Sequence, residues 1–293
     1  MTRPRGEGWA RVRYRHLLQH AGRSRAAGRR YAAMVAASVF IGDRARRRAG
    51  VQALTDCLRM RRSQALRTHL GALRSEALEE ADCAYFIARP DRLVSAFRQA
   101  TDEPVDDGPV IYATLHFGSP VLAYLDLCRR RGVIWMIGRP LDAANPMESA
   151  KLDWARRKVA WVETLSGRAF LGTDAAAIAA ARERLLAGES VFTPFDVPGD
   201  VATRSAAVEM FSRRVHLAAG VEILARLTRA PIRPIVAISR PDGFALLHGA
   251  RVEPAVASPL RSTMEEFSSI IRRHPEEWWM WPYLSFGALE VPS

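Results

Sequence analysis

Three residues able to move a proton or hold an anion stand at comparable points in this 293-residue chain, each just after a strand-like apolar run. His116 directly follows Val110 to Leu115. Arg139 follows Val133 to Ile137 after one glycine. Asp196 follows Val191 to Phe195. In a parallel sheet, ligands gather at the carboxyl ends of the strands. Each residue alone has a plain explanation: a structural histidine, a solvated arginine, a turn aspartate. Three of them at the same edge of one sheet is the stronger signal.

The turn after His116 sharpens it. Gly118-Ser119-Pro120 suits a sharp strand-to-helix turn. Glycine gives backbone freedom, serine caps, and proline fits the first helical position. His116 is then expected beside a helix N-terminus, whose free backbone N–H groups could hold an oxyanion or a phosphate, with Gly118 and Ser119 as candidate substrate-binding residues. A neutral histidine next to such a site suits general-base work on a hydroxyl or amine.

The elements that must position these residues follow from periodicity. Residues 8–100 read as helical, with Leu54, Leu58, Leu66, Leu70 and Leu73 at helical spacing. Thr101 to Pro109 is acidic and rich in turn residues, and reads as a linker. Beyond it, strand-like runs at 110–115, 133–137, 159–162, 191–195, 232–238 and 244–247 alternate with helical patterns near 119–131, 147–158, 174–187, 217–229 and 261–273. Arg240 to Gly243 reads as a turn. Such alternation predicts an α/β fold with a largely parallel central sheet flanked by helices. Residues 1–100 would be a basic helical segment, expected to face a membrane, packed on an α/β domain over 101–293 expected to be the catalytic one.

Composition narrows the function. Lys plus Arg is 43 against 31 Asp plus Glu, a net charge of +12. The first fifty residues carry 13 Arg against Glu7 and Asp43, so most of the excess lies there. Only Lys151 and Lys158 are lysines. A basic arm on a near-neutral body points to an anionic partner: a membrane surface, a nucleic acid or an acidic carrier protein. No nucleic-acid motif accompanies the arm, which makes nucleic acid the least favoured. Cys57, Cys83 and Cys128 are odd in number and widely spaced, so neither a disulfide framework nor a cysteine zinc site is credible. His274 and Glu277 do not form a zinc pair, and no metal or organic cofactor is suggested. There is no Gly-x-Ser-x-Gly elbow, Walker A loop or Gly-x-Gly-x-x-Gly.

The apolar run Tyr31 to Gly42 spans about 18 Å as a helix, short of the ~30 Å hydrocarbon core. A buried core helix is the plain reading. An interfacial helix flanked by Arg29, Arg30 and the arginines from Arg44 to Arg48 is the sharper one. The aromatic block Trp278-Trp279-Met280-Trp281 reads as core or interface, with an acyl-chain pocket as the alternative.

With these residues in view, the chain from about residue 50 to 286 resembles the late acyltransferases of lipid A biosynthesis, the lauroyl/myristoyl transferase family. Leu115-His116-Phe117-Gly118 is similar to the family's His-Phe-Gly block. Gly138-Arg139-Pro140 is similar to its Arg-Pro block. Leu186 to Gly199 resembles the segment where a strand ends in an acidic residue, and residues 217–236 resemble the helix and strand that follow. Arg273 to Trp278, with Trp281, resembles the C-terminal His-Pro-Glu-Gln-Trp-x-Trp signature. The resemblance implies a glycerolipid-acyltransferase-like α/β fold. It implies transfer of a fatty acyl chain from acyl carrier protein, or acyl-CoA, to a hydroxyl or amine of a lipid-linked sugar or glycolipid. It places the protein at the cytoplasmic face of the bacterial inner membrane, as a peripheral protein. Carried over by position, His116 is the general base, Arg139 binds phosphate or the carrier arm, and Asp196 is the second catalytic residue.

The departures are specific. The family pairs its histidine with an acid five residues later, and here that position is Val121. Asp126 lies about 140° further round the same expected helix and is a poor substitute. Asp196, from a neighbouring strand end, is the better geometric candidate. Ser119-Pro120 replaces the usual Asn-Trp, and no N-terminal spanning helix is evident. Two readings follow: a specialised acyltransferase, or a non-catalytic acyl- or lipid-binding member of the fold whose dyad has decayed at Val121.

Overall fold

The computed structural model describes residues 7–98, 106–142, 147–196, 204–240 and 243–284. Its centre is a five-stranded sheet in the order β2-β3-β1-β6-β7. These strands are β1 (Ile111–Thr114), β2 (Ile134–Met136), β3 (Ser190–Pro194), β6 (Ile232–Ser239) and β7 (Phe244–His248). The first four run parallel, and β7 returns antiparallel to β6. Every residue of β1 is buried. That is why it reads as an unbroken apolar run, as a central strand covered on both faces must. Helices α7 (Pro120–Arg131), α8 (Ser149–Ser166), α9 (Ala175–Leu186), α10 (Gly220–Thr228) and α11 (Pro259–Arg273) flank it. The expected α/β class with a largely parallel sheet is what is found.

Two parts of the pattern come out differently. The apolar run 159–162, read as a strand, lies inside α8. That helix buries Ala150, Leu152, Trp154 and Val162, and the four-residue run is one helical turn of it. A hairpin went unread. β4 (Ser205–Met210) and β5 (Arg213–Ala218) pair antiparallel where the start of a helix near 217 was expected. Its two turn residues, Phe211 and Ser212, both have positive φ (52° and 64°). Such turns normally advertise themselves with Asn-Gly or Gly-Gly, and here no glycine marks it. The strained Phe211 is held instead by stacking on Trp281, with ring centroids 5.6 Å apart, under the Arg272 guanidinium.

The N-terminal segment is helical as expected: α1 (Glu7–Val12), a π-helical turn at 13–17, α2 (Leu18–Ala21), α3 (Arg25–Gly42), α4 (Arg44–Leu58), α5 (Arg62–Ala88) and α6 (Pro90–Arg98). Ser24 caps α3 through the Ala27 N–H, and Asp43 caps α4 through the Arg46 N–H. The segment shares a core with the sheet: Leu54, Ala65 and Ala72 pack in one cluster with Ile111, Val191 and Trp281. Of the linker read at 101–109, residues 101–105 lie outside the described residues; in the rest, Asp106 pairs with Arg233. No helix among the described residues is long and apolar enough to cross a membrane.

Part of the basic arm points inward. α5 buries Glu79, Glu80 and Asp82 and half-buries Glu76. Arg46 pairs with Glu76 (2.6 Å), Arg13 with Glu80 (2.8 Å) and Arg25 with Asp82 (3.7 Å). Tyr14 and Tyr31 donate to the two oxygens of Glu80. Buried carboxylates require such partners. These three arginines therefore belong to the fold, and the charge left for a partner is smaller than the arm's composition implies. The run 31–42 likewise buries Tyr31, Ala32, Val35 and Ala36 while leaving Met34 and Ile41 exposed.

Gly118 fixes the turn on which the site depends. Its φ is +53°, and a Cβ there would lie 1.9 Å from the Ala237 carbonyl oxygen of β6. Both conformation and space exclude any side chain. Gly118→Ala is expected to destabilise the protein by more than about 3 kcal/mol, because β6 backbone must move. A thermal unfolding midpoint within a degree or two of wild type would contradict this.

Candidate active site

The register of the sheet assembles the site. β1 and β3 pair with a constant offset of 80 residues, from Ile111 opposite Val191 to Thr114 opposite Pro194. Two residues further on, the same offset brings His116 and Asp196 face to face. His116 Nδ1 lies 2.7 Å from Asp196 Oδ1, and the His116 backbone N–H donates to Asp196 Oδ2 at 2.8 Å. A carboxylate only accepts, so Nδ1 carries the ring proton and Nε2 keeps its lone pair. The Asp196 side chain is 2% exposed and that of His116 36%. A buried acid thus holds a partly open base. Burial works to lower the His116 pKa, but the charge and hydrogen bond of Asp196 outweigh it and hold it above the usual histidine value.

The C-terminal aromatic block completes the dyad. Trp278 Nε1–H donates to Asp196 Oδ2 at 2.9 Å, which gives the carboxylate three donors in all. Residues 277–279 run antiparallel beside 116–118: Gly118 N–H donates to the Glu277 carbonyl, and Trp279 N–H to the His116 carbonyl. The Trp279 ring is tilted against the imidazole, with centroids 5.9 Å apart. Trp279 Nε1–H reaches Ser75 Oγ of α5 at 3.4 Å, and Ser75 donates to Glu277 Oε2 at 2.5 Å. Helix α5 therefore forms a wall of the site. Sequence reasoning took the Trp block as core or interface; Trp278 is both buried and bonded to the dyad. Trp278→Phe keeps an aromatic ring but shrinks it at a buried position and removes one donor to a buried charge. It should lower stability by about 1–3 kcal/mol and slow any His116-dependent reaction about tenfold. Urea unfolding and product formation measure the two effects separately.

At Gly118 and Ser119 the turn offers no free N–H group. All four backbone donors from 116 to 119 are engaged: His116 by Asp196, Phe117 by the Leu115 carbonyl, Gly118 by Glu277 and Ser119 by the Ala237 carbonyl. Ser119 is at the N-cap position of α7, but its hydroxyl caps nothing; it is buried with no hydrogen-bond partner among the described residues. The backbone N–H groups of Gly118 and Ser119 thus dock the turn on Glu277 and β6 and are not free for a substrate. Arg139 follows β2, which lies on the far side of β3 from β1. It is exposed at the carboxyl edge, two strands from His116, and among the described residues no hydrogen bond joins it to the dyad. Val121 is half-buried in the packing of α7, and Asp126 is fully buried and paired with Arg129 (2.9 Å). Neither approaches the role of the missing acid.

Space near the dyad is limited. A cavity of about 10 Å³ lies against Asp196, lined by Met210, Leu217, Met264, Trp278 and Met280. It is roughly one water-sized sphere. A larger cavity of about 440 Å³, lined by Leu93, Phe97, Leu125, Cys128 and Arg168, borders the far end of α7 and lies away from His116. Among the described residues no group of His, Cys, Asp and Glu side chains is placed to hold a metal ion.

No protein-family model matches the chain, and no curated protein sequence matches it.

Proposed function

We propose that this chain is an acyltransferase working at a membrane surface. It would move a fatty acyl group from a thioester donor, acyl carrier protein or acyl-CoA, to a hydroxyl or amine of a lipid-linked sugar or glycolipid. The observation that carries the reading is the His116–Asp196 pair at the carboxyl edge of a parallel sheet, with Nε2 left as the exposed basic atom. Further support comes from the ordered blocks that resemble the lipid A late acyltransferases. On this reading the fold is of the glycerolipid-acyltransferase type, and Asp196 does from β3 what an acid at position 121 does in the family.

The chemistry follows from that geometry. His116 Nε2 takes the proton of the acceptor hydroxyl or amine as it attacks the thioester carbonyl. Asp196 stabilises the imidazolium that forms. The tetrahedral oxyanion then collapses, the carbon–sulfur bond breaks, and the thiolate leaves with the proton held by His116. The exposed Trp9, Met34 and Ile41 lie on N-terminal helices that also carry the exposed Arg11, Arg15, Arg30 and Arg44, and this supports contact with an anionic bilayer. The bilayer we have in mind is the cytoplasmic face of the bacterial inner membrane.

Intact lipid mass spectrometry on cells with wild-type protein, with His116→Ala and with no protein tests the reading. A species heavier by one fatty acyl group, present only with wild type, is expected. Identical lipids in the three strains would overturn it.

A second reading, a non-catalytic acyl-binding member of the fold, is favoured by Val121 and by the engaged N–H groups of the turn. The two readings separate at Val121→Glu. If the dyad had decayed, restoring the acid would raise activity. With Asp196 already on Nδ1, the substitution instead places a carboxylate in half-buried packing. It should cost about 1–3 kcal/mol of stability with no gain in product.

A further inference from the structure

The proposed acyl transfer needs a donor or a positive charge for the oxyanion, and the backbone N–H groups of residues 116–119 are all engaged elsewhere. One side chain with the required chemistry pairs with Glu79, which stands one helical turn along α5 from the Ser75 that meets Trp279 beside the imidazole. Lys158, on α8, is one of only two lysines among 43 basic residues. Helix α8 packs on α7, whose N-terminus follows His116, and on α5, whose Ser75 meets Trp279 beside the imidazole. One turn along α8 from Lys158, Trp161 packs in the same two clusters as Val121.

We propose that Lys158 is the cation of this site, and that its ammonium group receives the oxyanion formed when the acceptor, deprotonated by His116, attacks the acyl carbonyl. This rests on the acyl-transfer reading and adds a catalytic residue to it. The electron pair of the carbonyl moves to oxygen beside Lys158 as the new carbon–oxygen or carbon–nitrogen bond forms. It returns as the carbon–sulfur bond breaks, so Lys158 gains and loses no proton.

The surroundings of Lys158 fit the role. Its ammonium lies 3.0 and 3.2 Å from the two oxygens of Glu79, a residue only 3% exposed. An ammonium has three donors, so one remains for a ligand. The side chain is 23% exposed. Burial works against its charge, but Glu79 more than compensates and keeps it protonated throughout the range in which histidine titrates. Its charge is felt at the imidazole: Lys158 lowers the His116 pKa, in opposition to Asp196. Arg139, the residue expected to bind the anion, stands two strands away. A fixed charge held by a buried carboxylate is the preorganised kind of stabiliser, and removing one such donor typically costs ~10²–10³-fold in rate.

Removing Lys158 alone would leave Glu79 buried and unpaired, so the test compares Glu79→Gln with Glu79→Gln/Lys158→Met in cells. The rate at which isotopically labelled fatty acid enters the acylated lipid is measured at matched protein levels. The double variant should fall ~10²–10³-fold below the single one, and Lys158→Arg, which keeps charge and pair, should retain most of the wild-type rate. The His116 imidazole, followed by NMR, should titrate at higher pH in the double variant than in Glu79→Gln. Equal rates in the single and double variants, with wild type active, would overturn the role of Lys158 and leave acyl transfer standing. A wild-type strain without an acylated product would bring down both.

Discussion

Replacing His116 with Ala should abolish the acylated lipid while leaving the fold intact. The side chain is partly open and makes one side-chain hydrogen bond, to Asp196. The backbone N–H that also binds Asp196 remains in the variant. The expected loss is ~10³–10⁴-fold or more, the size seen when a general base of this kind is removed. Circular dichroism and thermal unfolding should stay close to wild type. Undiminished product from the variant would remove His116 from the mechanism.

The same residue sets the pH dependence. His116 must be neutral at Nε2 to take a proton, and its pKa is held above the usual histidine value because Asp196 outweighs burial. Activity should therefore rise with pH and reach half its maximum above pH ~6.5, the ordinary histidine value. Stability runs the other way. A group whose folded pKa is raised contributes its full stabilisation below the unfolded pKa and loses it as pH rises through the folded one. The pH range of greatest activity is thus one in which the imidazolium–carboxylate attraction no longer supports the fold. A rate profile whose half-maximum lay well below pH 6 would contradict the arrangement.

Asp196→Asn is the second large effect, and it isolates the carboxylate. The asparagine keeps the volume and an acceptor for Trp278 Nε1–H or for the His116 backbone N–H. What it loses is the charge and a guaranteed acceptor for Nδ1–H. Either the ring takes the other tautomer, with its proton on Nε2, or an N–H faces an N–H. The first removes the lone pair from Nε2 and the second leaves the base without the carboxylate that supports it, and a fall of ~10⁴-fold is expected. The His116 pKa should also drop, since the carboxylate is what raises it. Nitrogen-15 NMR of the imidazole reads the tautomer and the pKa directly. A variant with wild-type activity would show that Asp196 only braces the strand end.

Much of this was legible in the residues. Strand-like runs at 110–115, 191–195 and 232–238 coincide with largely buried strands, and the segment read as helical over 8–100 is a series of helices with short breaks over its described residues. The strand ends alone put His116, Asp196 and Arg139 at one sheet edge. Local signals are reliable there because burial and period act within a few residues. They misled at 159–162, where one helical turn and a short strand share the same apolar pattern. They were silent at Phe211-Ser212, where stacking on Trp281 replaces the glycine that marks such a turn.

The amino-acid sequence by itself determined the class of fold, the elements, and the presence of a histidine and an aspartate at strand ends. Only the tertiary structure decided which of those residues meet. Strand order put β3 between β1 and β2, so Asp196 reached His116 and Arg139 did not. The common offset of 80 residues turned two distant strand ends into a hydrogen-bonded pair. Docking of residues 277–279 and of the turn on β6 occupied the N–H groups that looked free and brought Trp278 onto the carboxylate. Packing of α5 turned Arg13, Arg25 and Arg46 inward, away from any partner. Each of these depends on hydrogen bonds and ion pairs between segments many residues apart. Such contacts follow from which surfaces pack together, and no local pattern of residue types encodes that choice.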